Sequence, residues 1–149
     1  MKEFLGEFTN KIVLEGKRKL NDFISSYDIT GKQARILHFI YNASKHKEVN
    51  QTDVEEHFLI RGPSVTSILQ TLEKKGFIKR LVSKFDARKK VLVVTDKGEG
   101  VYAVIDKKIS DFEKAMVKGI DDKDLSVLEK CFNQILKNLV EYSCGNENN

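Results

Sequence analysis

The chain has 149 residues, of which 40% are hydrophobic and 32% charged, and its net charge is +4. This size and composition fit one globular domain with its own core, and they exclude a low-complexity or membrane-spanning chain, since no apolar run approaches the ~18 residues that cross a bilayer. Only two cysteines, Cys131 and Cys144, and no apolar signal segment after Met1 predict a cytoplasmic protein without a disulfide framework.

Apolar residues at helical spacing mark the first helices. Phe4, Phe8 and Ile12 recur every fourth residue, which predicts one long helix within the first 27 residues. A second helix should begin after Thr30, because Thr30 with Gln33 three residues later has the form of a capping box.

A helix-turn-helix is expected next. Asn50 is suited to cap a short third helix, and Pro63, the sole proline, suits the first position of a fourth. Between Val65 and Leu72 the apolar residues fall at i, i+3, i+4 and i+7, which predicts a buried stripe. Gly76 is placed to end this helix.

A hairpin follows the fourth helix. The runs 77–82 and 91–95 are short and rich in β-branched residues, which predicts two paired strands. Their connection, 83–90, is polar, is longer than a tight turn and carries four cations. The hairpin would form the wing of a winged helix-turn-helix.

Two long helices complete the chain. Asp96 with Glu99 suits the start of a fifth helix, which Gly119 ends, and Asp121 with Asp124 suits the start of a sixth. The sixth helix carries a heptad-like apolar seam, which is typical of a helix packed against another helix. The seam comprises Leu125, Leu128, Phe132, Ile135 and Leu139.

These elements predict a mostly α fold with a small β component, an α+β winged helix. The winged helix-turn-helix lobe with its two-stranded wing would span about 28–96, with dimerisation helices at 1–27 and 97–144 and a disordered tail at 145–149. The apolar seams outside the lobe exceed what a small lobe covers, which predicts a homodimer. The expected interface residues are Phe4, Phe8, Ile12, Phe112, Leu125, Leu128, Phe132, Ile135 and Leu139.

Charge is distributed unevenly along the chain. The segment from Arg61 to Lys97 holds ten basic and three acidic residues, a net of +7, which leaves −3 for the rest. A charge run alone is most often a solvated face, but inside a winged helix-turn-helix a basic block favours binding to double-stranded DNA.

The polar side of the fourth helix offers short hydroxyls and an amide, which are suited to base edges in the major groove. A glutamine there is able to bridge adenine. The candidate DNA-binding residues of this recognition helix are Arg61, Ser64, Thr66, Ser67, Gln70, Thr71 and Lys74.

In the wing, Arg88 is expected to enter a narrow, electronegative minor groove. Asp86, two residues earlier, should orient the Arg88 guanidinium or stabilise the turn by accepting backbone N–H bonds. The remaining cations fit phosphate contacts, which set affinity rather than sequence preference. They are Arg80, Lys84, Lys89 and Lys90 in the wing, with Lys74 and Lys75 at the end of the fourth helix.

Taken together, these motifs resemble the MarR family of bacterial regulators. The matching stretches are Ile29–Gln33, Val65–Arg80, Asp86–Lys90 and Thr95–Gly98, in the right order within about 70 residues. The resemblance implies a ligand-responsive repressor: a homodimer with interlocked terminal helices, a recognition helix in the major groove of a pseudo-palindromic operator, and a small-molecule or oxidative signal. Peroxide-sensing members use a cysteine in the first helix, which this chain lacks.

Two other functions are alternatives to a ligand-responsive DNA-binding repressor. Zinc-sensing relatives raise a metal-responsive regulator as an alternative, but His38, His46 and His57 lack the close spacing of a compact zinc site. No cofactor or metal is therefore expected, and a partly buried core position is the simpler interpretation of His38. A winged helix that binds protein is the second alternative, which the basic block disfavours.

An enzyme is not expected, because the chain has no phosphate-cradling glycine loop, no HExxH and no GxSxG. A pocket for an unidentified small-molecule effector would have aromatic and aliphatic walls. The candidate wall residues are Phe8, Ile12, Phe39, Tyr41 and Phe112, each of which is as well suited to the core.

Overall fold

The computed structural model describes residues 4–145 and divides after Phe112 into two units. Within these residues the chain forms six α-helices and one two-stranded antiparallel sheet, which confirms the predicted winged-helix fold class. The elements are α1 Phe4–Ile24, followed by a 3-10 turn at Ser25–Tyr27, then α2 Gly31–Ala43, α3 Gln51–Phe58, α4 Gly62–Lys74, β1 Ile78–Val82, β2 Lys90–Val94, α5 Asp96–Met116 and α6 Asp122–Gly145.

Local hydrogen bonds explain where the helices of the first unit begin. Thr30 and Gln33 form the predicted capping box at α2, with each side chain accepting from the other residue's backbone N–H. Asn50 and Asp53 do the same at α3. Pro63 lies in the first turn of α4, where its missing N–H leaves no helical bond unmade.

The core of the first unit joins α1 to α5. Its side chains come from the C-terminal half of α1, from α2, α3 and α4, from the sheet and from α5. The stripe predicted for α4 is confirmed, with Val65, Leu69 and Leu72 fully buried and Ile68 partly buried. Other fully buried members include Ile24, Ile36, Leu37, Ile40, Val54 and Ile105.

The wing is held in a fixed register. In the antiparallel pair Ile78 lies opposite Val94, and Val82 lies opposite Lys90. The backbone N–H of Leu92 also donates to the carbonyl oxygen of Val49 at 2.7 Å. This bond joins β2 to the connection that leads into α3, so the wing is held in place relative to the helix-turn-helix.

A close approach fixes the start of α5. The Thr95 hydroxyl donates to the Gly76 carbonyl and accepts from the Gly98 N–H. A Cβ atom on Gly98 would lie 2.1 Å from the Phe77 carbonyl oxygen, so only glycine fits without a backbone shift. Lys97 Nζ donates to the Lys75 carbonyl oxygen at 2.7 Å.

The predicted dimerisation residues occupy contrasting environments. Phe8 is 61% exposed on α1 and Phe132 is 39% exposed on α6. Leu125 and Ile135 are half-buried. Phe112 packs against the first unit's core, edge-on to Phe23 at 6.3 Å between ring centroids. Ile12, Leu128 and Leu139 are exposed.

Some predicted features lie outside the described residues. They include the side chains of Phe4 and Cys144 and the tail that was predicted to be disordered, apart from Gly145, where α6 ends. Over residues 4–145, none of the helices has the length and apolarity needed to cross a membrane.

Candidate nucleic-acid interface

Helix α4, the predicted recognition helix, buries its apolar side in the core and leaves its polar side exposed. Arg61 is the residue before the helix, and α4 follows α3 after a turn in which Leu59 adopts a left-handed backbone, φ 51°. Ser64, Ser67 and Gln70 are exposed. Among residues 4–145, the side chains of these three make no hydrogen bond, so all are open to a ligand.

Two predicted base-contacting hydroxyls already have partners within the chain. Thr66 Oγ1 accepts a 2.9 Å hydrogen bond from Gln51 Nε2, which also donates to Glu55 Oε1. The Thr71 hydroxyl donates to the Ser67 carbonyl oxygen at 2.9 Å. Both threonines are half-buried. The Gln51 contact joins α3 to α4 and thereby fixes the direction in which α4 presents its polar side.

The wing presents exposed cations at its tip and at the start of β2. Arg88 has 91% of its side chain exposed, and Lys84, Lys89 and Lys90 are also exposed. Asp86 Oδ1 accepts from the Arg88 backbone N–H at 3.0 Å and from its Nε at 3.3 Å. Asp86 therefore both stabilises the turn and orients the guanidinium, the two roles expected for it.

A serine and a glutamate anchor the wing tip to the body of the lobe. Ser83 is buried, and its hydroxyl donates to Glu48 on the connection between α2 and α3. Glu48 also accepts from the Lys84 backbone N–H at 2.9 Å. These hydrogen bonds stabilise the carboxylate and lower the pKa of Glu48 from its ordinary value, the Ser83 contribution being the larger.

Three of the predicted phosphate contacts differ in availability. Lys74 is exposed at the end of α4. Lys75 Nζ donates to the Asp28 carbonyl oxygen at 2.6 Å and to its carboxylate at 3.1 Å. Arg80 Nε is buried and lies 3.5 Å from Glu73 Oε2 without the geometry of a hydrogen bond. Lys75 and Arg80 thus already neutralise acids of the lobe.

A polar cluster links α2 to α5. His38 Nε2 lies 2.9 Å from Asp106 Oδ1, and the Tyr102 hydroxyl lies within hydrogen-bonding distance of the same oxygen, at 3.0 Å, and of Asn42 Oδ1, at 3.2 Å. His38 is partly buried, as expected. Desolvation raises the pKa of Tyr102. Over the described part of the chain, no three His, Cys, Asp or Glu side chains are grouped to hold a metal ion.

Three positioning residues lay outside the sequence predictions: Glu48, Gln51 and Ser83. Their contacts join positions 15 or 35 residues apart, which no local spacing reveals. The sequence gives only a weak sign of the contact between Glu48 and Ser83. An acid stands in the polar segment before α3, and a small hydroxyl residue stands where the first strand ends.

Comparisons with known proteins place this geometry among regulators. A sequence model described as MarR family matches residues 27–89. The uncharacterized HTH-type transcriptional regulator YwoH of Bacillus subtilis is 22% identical over 120 residues, which are 80% of this chain and 85% of YwoH. The structure of the transcription regulator MarR from Oenococcus oeni is 28% identical, with a TM-score of 0.80 over 89% of this chain and 98% of that one.

A third similarity is to a protein solved with DNA. The structure of a Staphylococcus aureus MepR–DNA complex has a TM-score of 0.85 and 24% identity, covering 93% of this chain and 99% of MepR. At that identity the likeness concerns the fold.

Proposed function

We propose that the chain, which a MarR family model matches over residues 27–89, is a DNA-binding winged-helix transcriptional regulator of that family and acts as a homodimeric repressor on a pseudo-palindromic operator. It would work in the cytoplasm by binding rather than by catalysis, and a small molecule would tune its affinity. The single observation that carries the proposal is the exposed polar side of α4 beside a cationic wing anchored to the same lobe.

The polar side of α4 and the wing would contact different parts of the DNA. The side chains of Ser67 and Gln70 make no hydrogen bond within the described residues and offer groups that match base edges. Arg88 lies at the wing tip with its guanidinium oriented by Asp86 and suits the minor groove. Lys84 and the neighbouring wing lysines supply phosphate contacts, which set affinity and register.

A homodimer would cover apolar surfaces that a single chain leaves exposed. Exposed apolar side chains line α1 and α6, and a second copy is the natural cover for both. Two-fold symmetry then presents two copies of α4 to the DNA. The half-sites should lie about one helical turn apart, with inverted sequences.

Ligand response rests on the family resemblance. The polar cluster of His38, Asn42, Tyr102 and Asp106 is the supporting feature, because it couples the lobe to α5 through α2. An effector that altered this coupling would shift the position of α5 relative to α2.

The experiment is a binding selection from a random-sequence duplex library with the wild-type protein. The proposal expects enrichment of one inverted-repeat sequence and steep loss of affinity with added salt, since phosphate contacts release counterions. Enrichment of no sequence, at low and at physiological salt, would overturn the proposed function.

A further inference from the structure

The wing tip carries an aromatic side chain that the proposed contacts leave unused. Phe85 is 88% exposed, the highest fraction of any large apolar side chain among the described residues. Single apolar residues on a surface are ordinary, so exposure alone assigns no role. Two features of its surroundings indicate a role for Phe85 in binding: a constrained turn and neighbouring cations.

The turn that bears Phe85 is rigidly held. Its backbone N–H donates to Ser83 Oγ at 3.1 Å, and the Asp86 N–H donates to the same oxygen at 3.2 Å. The Lys89 N–H donates to the Asp86 carbonyl oxygen at 2.9 Å. Ser83 is in turn bound to Glu48. A side chain on a turn this constrained enters a ligand with little further loss of backbone freedom.

Basic residues flank Phe85 in the sequence. Lys84 precedes Phe85, and Arg88, Lys89 and Lys90 follow within five residues, all of them exposed. The intervening acid, Asp86, is already bound to Arg88. An apolar tip flanked by cations complements a groove whose floor is formed by base-pair edges and whose sides carry phosphates.

We propose that Phe85 is an apolar wedge that enters the minor groove beside each half-site with Arg88, partly unstacks one base step and bends the operator. The inference rests on the proposed function and deepens it. Wedges of this kind open flexible steps at least cost. The operator should therefore prefer a pyrimidine–purine step, TA or CA, at the wing position, outside the bases that α4 reads.

The test uses the duplex selected with the wild-type protein, with 2-aminopurine placed in the step under the wing. Binding should raise the 2-aminopurine fluorescence, because the fluorophore loses its stacking partner. Phe85→Ala should abolish the rise and weaken binding about tenfold or more. Phe85→Leu keeps an apolar wedge and should retain part of the rise.

Lys84→Ala is the matched control for charge. It should weaken binding to all duplexes and lower the salt slope by about one unit, with the fluorescence rise retained. Because Phe85 is exposed, thermal melting of Phe85→Ala should match that of the wild type, which separates a loss of wedging from a loss of folding.

Unchanged fluorescence with the wild type, or equal fluorescence and affinity with Phe85→Ala, would overturn the wedge while leaving DNA binding intact. Phe85-dependent binding to phosphatidylglycerol vesicles without any fluorescence rise would also overturn it, in favour of a membrane contact. Failure of the selection to yield a duplex would instead defeat the proposed function, and the wedge with it.

Discussion

The winged lobe and the terminal helix α6 have similar apolar periodicity but very different burial. In the lobe the stripe from Val65 to Leu72 is closed over by neighbouring elements of the same chain. On α6 the seam from Leu125 to Leu139 has no fully buried member. The lobe's fold is thus a property of one chain, whereas the α6 seam calls for a second surface, which we propose is another copy.

The largest effect is expected from charge on the α6 seam. Phe132→Glu combined with Leu128→Glu should abolish the dimer and with it high-affinity operator binding, because carboxylates do not enter an apolar interface unpaired. Sedimentation velocity gives the mass. Glu141→Lys, at an exposed charged position of the same helix, is the control and should remain dimeric. If the double variant remained a dimer, α6 would not be part of the dimer interface.

The second prediction concerns the buried contact between the start of α5 and the lobe. Gly98→Ala places a Cβ atom 2.1 Å from the Phe77 carbonyl oxygen and should destabilise the fold by about 1–3 kcal/mol, measured by denaturant unfolding. Gly100→Ala is matched to it, two residues along the same helix with nothing within 4 Å of its Cβ, and should be neutral or stabilising. Equal destabilisation by both would mean that the close approach costs nothing.

The third prediction separates base reading from charge on the exposed side of α4. Gln70→Ala should cost about 1–3 kcal/mol on the selected operator and relax preference at one position of each half-site. Lys74→Ala should weaken binding to all DNA sequences alike and lower the salt dependence of log Kd by about one unit. If Gln70→Ala keeps the wild-type preference at every position, readout belongs to Ser64, Thr66 or the wing.

The fourth prediction ranks two wing cations. Arg88→Ala should weaken operator binding more than Lys89→Ala, since a guanidinium in the groove makes several contacts and a lysine at its rim meets one phosphate. Fluorescence anisotropy on the same duplex compares the two variants. Equal losses would show that the wing supplies only diffuse charge.

The smallest effect is a titration. The folded-state pKa of Glu48 is lowered, so its bonds to Ser83 and Lys84 are fully present above its ordinary pKa and are lost as pH falls through the lowered value. Ser83→Ala should raise the NMR titration midpoint of Glu48 towards its ordinary value. An unchanged midpoint would mean that Ser83 does not hold the carboxylate.

Features set by local spacing could be predicted from the sequence. The capping box of Thr30 and Gln33 and the buried stripe of α4 involve residues within one or two helical turns, so the chain itself fixes them. Their positions in the structure match the predictions.

The wing anchor could not be predicted in the same way. Glu48 meets Ser83 across 35 residues, and Gln51 meets Thr66 across 15, so both contacts depend on the completed fold. The stretch Thr95–Gly98 is part of the family-like pattern, but the physical reason for its glycine, the approach of α5 to the Phe77 carbonyl oxygen, is tertiary.

Sedimentation equilibrium of the wild-type chain, alone and with the selected operator, tests most directly whether recognition needs two copies. The account predicts a stable dimer at micromolar concentration and two chains on each duplex, since the apolar seam of α6 needs a cover. A stable monomer at that concentration, bound one chain to one duplex, would contradict it.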